Sequence, residues 1–93
     1  METIIEKKSE ESVDTKNPDQ SKIVILNDEI NTFDHVILTL METCEIDIDT
    51  AITIAMKVHT SGSAVAKTGE TEDMENRCIL ICLAGINAVV EKC

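Results

Sequence analysis

Asn27, Asp28 and Glu29 form an unbroken polar triplet between two apolar stretches, and a further amide, Asn31, follows. Carbonyl and carboxylate oxygens crowded together with few bases nearby suit an ammonium group, which brings three donors and a positive charge. Asp28 and Glu29 need not share one target, because neighbours on an extended chain face opposite ways. A second candidate is His59, placed after Val58 and three residues before Gly62. In its neutral form an imidazole offers an acceptor nitrogen to the same cation. Both groups have simpler readings. Asn and Asp commonly build ordinary turns, and a histidine in the last turn of a helix complements the negative helix end.

Other chemistries are less well supplied. The three glycines stand singly, so there is no glycine-rich phosphate loop. Cys78 and Cys82 lie one helical turn apart, but two ligands do not make a zinc site. A Cys–His nucleophile pair would need a proximity that spacing does not provide. The expectation is a binding protein rather than an enzyme, with no metal and no cofactor.

The polar triplet needs elements to hold it. Lys22 to Leu26 is a β-branched run and reads as a buried strand. Asn31 is the expected N-cap of a first helix, whose stripe is Phe33, Val36, Ile37, Leu40, Met41 and Cys44. A second helix is expected after Asp47, with Ile48, Ala51, Ile52, Ala55, Val58 and His59 on one side and Ile54 and Met56 widening the apolar surface. Gly62 ends it. Ser63 to Lys67 is strand-like and closed by a Thr68-Gly69 turn. Thr71 to Ala84 is a third helix with Met74, Cys78, Ile81 and Cys82 inward. Asn87 to Glu91 is the last strand. The predicted fold is α+β: a single small domain in β-α-α-β-α-β order, with three helices packed on one face of a small sheet.

With 93 residues there is room for one domain, and a single aromatic residue among 43% hydrophobic ones makes the core aliphatic. A formal charge of -10 argues against nucleic acid and anionic membrane surfaces and favours cationic partners. Residues 1–21 are charged and polar without an apolar period, as in a disordered arm, leaving 22–93 as the core domain. The stretch Met1-Glu-Thr-Ile-Ile-Glu6 lacks the basic and long apolar regions of a secretory signal. Cys44, Cys78 and Cys82 fall in apolar patterns and read as reduced core thiols, with Cys93 exposed. A cytoplasmic monomer is the resulting expectation.

Two segments, taken together, resemble a known family. The run Leu26-Asn27-Asp28-Glu29-Ile30-Asn31-Thr32-Phe33-Asp34-His35-Val36 is similar to the acidic strand-to-helix turn of the ClpS adaptors, and Val58-His59-Thr60-Ser61-Gly62 to the end of their second helix. The stretch Ser63 to Gly69 resembles the second strand of the branch in which Asn-Thr-Phe replaces Tyr-Thr-Pro. The resemblance spans about Lys22 to Lys92 and adds antiparallel pairing of the three strands to the fold. It implies a non-catalytic adaptor that recognises N-degrons, whose first residue is large and hydrophobic. Such adaptors deliver these substrates to the N-domain of an AAA+ Clp unfoldase, of ClpA or ClpC type, working with the ClpP peptidase.

Carried over by position, the resemblance implies that Asn27, Asp28 and His59 bind the substrate α-amino group, with Glu29 and Asn31 where Asp and Thr are usual. Phe33 stands at a gating Met, Val58 is a wall residue, and Ala55 replaces a pocket Met beside Met56. Ile30, Val36 and Leu38 are further candidates for the pocket walls. Three alternatives stay open: a ClpS-fold protein that binds the unfoldase without reading N-degrons, a ribosomal-stalk-like domain, and a small thiol-dependent enzyme.

Overall fold

The computed structural model describes residues 19–93. The elements are β1 (Gln20–Leu26), α1 (Phe33–Cys44), α2 (Ile48–Ser61), β2 (Ser63–Glu70), α3 (Thr71–Leu83) and β3 (Ala88–Lys92). Both pairings are antiparallel in the order β2-β1-β3, which puts the β-branched run on the central strand. Ile23 and Ile25 are buried against all three helices, in one cluster with Ile37, Leu40, Ile54, Val58, Met74 and Ile81. Val24 points to the opposite face and is buried too, flanked across the ladders by Val65 and Val89. The α+β fold in β-α-α-β-α-β order is as the sequence implied.

Most of the expected arm, up to residue 18, lies outside the described residues. Its last two positions are strand, not arm: β1 already runs from Gln20. Ser21 hides this in the sequence because its hydroxyl is buried and hydrogen-bonded to Thr71 Oγ1 at 2.7 Å, so a polar residue occupies a core position. The earlier start gives β2 more partners. Thr68 and Gly69 pair with Lys22 and Ser21 and are not a turn. Gly69 serves a different purpose: a Cβ there would sit 3.1 Å from Met74 Cε, so its absence lets α3 pack close.

The remaining departures concern helix faces. Thr32, not Asn31, caps α1, accepting from the His35 N–H at 3.1 Å. On α2 the inward residues are Ala51, Ile54, Ala55 and Val58, while Ile48, Ile52 and Met56 are exposed. On α3 Met74, Cys78 and Ile81 are buried, but Cys82 is exposed and so is not a core thiol. Four residues on from Cys78, Cys82 is rotated by about 40° and falls past the edge of this narrow face. Asp47 and Gly62 cap α2 as its sequence implied. Two contacts fasten α1 to α3. Arg77 donates to the Thr43 carbonyl at 2.8 Å near the end of α1. At the start of α1, His35 Nε2 lies 2.8 Å from the Ala84 carbonyl, which only accepts, so Nε2 carries the proton.

Candidate functional site

The register of the β1–β2 pair brings the two separated polar segments together. Leu26 pairs with Ser63, the first residue after the α2 cap. The last turn of α2, with His59 in it, must therefore lie beside the end of β1. Asn27 continues the contact, donating its N–H to the Gly62 carbonyl at 2.9 Å. On the other side, the Leu26 N–H donates to the Asn87 carbonyl at 2.9 Å, which fixes the approach to β3. The triplet thus emerges from the middle strand of the sheet between two pinned neighbours.

Beyond Asn27 the chain folds around the Asp28 carboxylate. Oδ1 accepts from the Ile30 and Asn31 N–H groups, each at 2.9 Å, and Oδ2 accepts from the Asn31 side-chain amide at 2.9 Å. The Asn31 N–H, then its side-chain amide and the Ile30 N–H, hold the Asp28 carboxyl below the usual carboxylate range. The same Asn31 nitrogen donates to the Gly85 carbonyl at 2.8 Å. With its amide committed in this way Asn31 does not cap α1, and the cap passes to Thr32.

A cavity of about 420 Å³ opens here. Asn27, Asp28, Glu29, Asn31 and His59 line its polar side, and Ile25, Leu26, Phe33, Val36, Ala55, Val58 and Ile86 its apolar side. Of the residues expected at the pocket, Ile30 and Met56 are not on this wall. Ile30 is 89% exposed because the turn around Asp28 swings it outward. Met56 sits on the outer face of α2, one residue round from Ala55. Leu38 lines a separate depression between α1 and α3, with Leu80 and Ala84. Ile25, Leu26 and Ile86 were not foreseen as wall residues. Ile25 and Leu26 read as strand core, and Ile86 reaches the cavity only because the corner between α3 and β3 closes against the end of β1.

The lining has an electrostatic character that decides what it can hold. It contains two carboxylates, two amides and an imidazole, and no lysine or arginine. It also contains no serine, threonine or cysteine, so the cavity presents no hydroxyl or thiol nucleophile. The thiols lie elsewhere. Burial pushes Cys44 up, and burial with the neighbouring Cys82 pushes Cys78 up to about 11, away from the reactive thiolate form. Among the described residues no cluster of three or more His, Cys, Asp or Glu could hold a metal ion, and no helix is long and apolar enough to cross a membrane. What remains is a polar corner suited to a small cation, joined to an apolar hollow.

Comparison with known proteins finds a matching family model and matching solved structures. The family model described as ATP-dependent Clp protease adaptor protein ClpS matches residues 16–84. A solved structure of Agrobacterium tumefaciens ClpS2 bound to L-phenylalaninamide is similar to this chain at a TM-score of 0.74 and 26% sequence identity, covering 82% of this chain and 99% of that one. No curated protein matches.

Proposed function

Since the chain belongs to the ClpS family of ATP-dependent Clp protease adaptor proteins, we propose that it binds the exposed N-terminus of N-degron substrates. It then delivers them to the N-domain of an AAA+ Clp unfoldase, of ClpA or ClpC type, that feeds ClpP. Asn27, Asp28 and His59 hold the α-amino group, and Glu29 adds negative charge at the mouth. Phe33, Val36, Ala55 and Val58, with Ile25, Leu26 and Ile86, receive a large hydrophobic first side chain. The protein acts as a monomer in the cytoplasm, without a cofactor and without nucleic acid or membrane. Family membership supports the delivery step.

The observation that carries the binding step is a single cavity lined both by acceptors and by hydrocarbon. L-Phenylalaninamide, the molecule bound to the similar ClpS2 protein, is itself a free α-amine beside an aromatic side chain. Burying a large first side chain contributes roughly 1.5–3 kcal/mol. Blocking the amine leaves the polar corner without its partner, so the two requirements reinforce each other.

Fluorescence anisotropy with peptides beginning with Leu, Phe, Tyr, Trp, Ile, Val, Met or Arg tests the reading. Binding confined to large hydrophobic first residues, and lost on N-terminal acetylation, is the expected result. Equal affinity for all peptides, or indifference to acetylation, overturns it.

A further inference from the structure

Most of the cavity wall comes from the β1–α1 turn and the end of α2, but Ile86 comes from the α3–β3 corner, and one side chain ties that corner to the turn. Asn31 Nδ2 donates to Asp28 Oδ2 at 2.9 Å and to the Gly85 carbonyl at 2.8 Å. Asp28 is the carboxylate of the amine end. Gly85 precedes Ile86, which is 2% exposed and lines the apolar end. Gly85 has φ +91°, a backbone conformation that side-chain-bearing residues rarely adopt, and it sets the direction in which Ile86 enters the cavity. The Ile86 N–H in turn is bonded to the Ile81 carbonyl at 3.3 Å, so the corner is anchored to the last turn of α3.

We infer that Asn31 is a positioning residue that locks the amine-binding carboxylate to the α3–β3 corner. This deepens the adaptor reading and rests on it. Both hydrogen bonds of the side-chain amide are directed into the protein, leaving its nitrogen no role toward a bound cation. An ammonium brings only donors and needs acceptors, so a side-chain NH2 group aimed at it would repel it. Through Asn31, a change at the floor of the hollow reaches the carboxylate and the reverse. Recognition of the amine and of the first side chain are thereby coupled.

Three variants separate this from a merely structural role. Asn31→Ala removes both donors. Asn31→Asp keeps the shape, lacks the donors and sets a carboxylate against Asp28 and the Gly85 carbonyl. His35→Ala removes a different tie to the same corner, the bond to the Ala84 carbonyl, without touching Asp28. Two measurements are made on each: NMR titration of the Asp28 carboxyl in the free protein, and affinity for a Leu-first and an Ala-first peptide with free N-termini.

The expected result is that Asn31→Ala and Asn31→Asp raise the Asp28 titration toward the ordinary Asp value near ~3.9, whereas His35→Ala leaves it in place. Each Asn31 variant weakens Leu-first binding by about tenfold or more, the scale of a lost hydrogen bond to a charged group. It also narrows the Leu-to-Ala affinity ratio, because the floor has lost its reference to the carboxylate. If Asn31→Asp binds and titrates as the parent does, the inference is wrong. If Asn31→Ala lowers the affinity for both peptides by one factor and leaves the Asp28 titration unmoved, it is also wrong. The NMR arm needs no peptide, so it reports on the Asn31–Asp28 link even where peptide binding fails. Failure of the parent protein to prefer free over acetylated N-termini counts against the adaptor reading itself.

Discussion

Two aspartates stand before the two helices of the hairpin, and locally they behave alike. Asp28 turns the chain ahead of α1, accepting from the Ile30 and Asn31 N–H groups. Asp47 caps α2, accepting from the Thr50 N–H at 2.9 Å. Hydrogen bonds lower both carboxyls, to Asn31 first for Asp28 and to Thr50 for Asp47. The difference lies beyond the carboxylate. Asp28 borders the cavity shared with His59, Phe33 and Val58, and Asp47 does not. Helix-end chemistry is therefore common to both corners, and what makes one of them a binding site is the neighbour that the sheet register brings to it.

The largest effect that tests this contrast is at Asp28. Asp28→Ala should weaken binding of a Leu-first peptide by about tenfold or more, the range for losing a charge-assisted hydrogen bond. Circular dichroism should show the fold retained. An unchanged affinity in anisotropy would place the amine elsewhere and make the two corners equivalent after all.

His59→Ala should follow with a smaller loss, about threefold to tenfold, since one neutral acceptor contributes less than a charged one. His59 is exposed on the last turn of α2, so the melting temperature should hardly move. A marked fall in melting temperature with unchanged affinity would make His59 a helix-end residue alone.

The same contrast explains what could be read in advance. The Asn27–Glu29 triplet and His59 were visible as residue types, as was the capping by Asp47 and Gly62, because caps and turns are local chemistry. The order of elements followed from apolar periodicity. The shared cavity needed the pairing of Leu26 with Ser63, a long-range fact that no local pattern encodes. For the same reason Ile86 escaped notice: it is an unremarkable apolar residue until the α3–β3 corner closes. Ile30 and Met56 were misplaced because spacing gives a helix face or a loop position, but the rotation of a turn around Asp28, or of α2 by one residue, is decided by packing. Ser21 shows the same limit in reverse, a polar residue made internal by one partner, Thr71.

The apolar end can be sharpened next. Ala55 is buried and lines the cavity, as does the half-exposed ring of Phe33. Ala55→Met projects a longer side chain into the cavity and takes up space that a large first side chain would fill. Affinity for a Trp-first peptide should fall by about fivefold or more relative to a Leu-first one, while N-terminal acetylation still abolishes both. A uniform loss across first residues would mean that Ala55 supports the fold and does not select the side chain.

The smallest effect on binding, and the sharpest contrast, is at Asp47. Asp47→Ala should leave peptide affinity unchanged and lower the melting temperature by losing the α2 cap. The pH dependence gives the matching sign. Each aspartate is depressed in the folded protein, so its stabilisation is complete above the unfolded value near ~3.9 and disappears as pH falls through the lower folded value. Both corners should therefore weaken the fold below about pH 4, and removing Asp47 should flatten that acid loss of stability. Peptide affinity differs: its acid limb belongs to the titratable groups that line the cavity and not to Asp47, because the amine stays protonated throughout this range. The limb should survive Asp47→Ala without moving. A shift would mean that the corners communicate through the α1–α2 hairpin, and that placement beside the cavity is not what separates them.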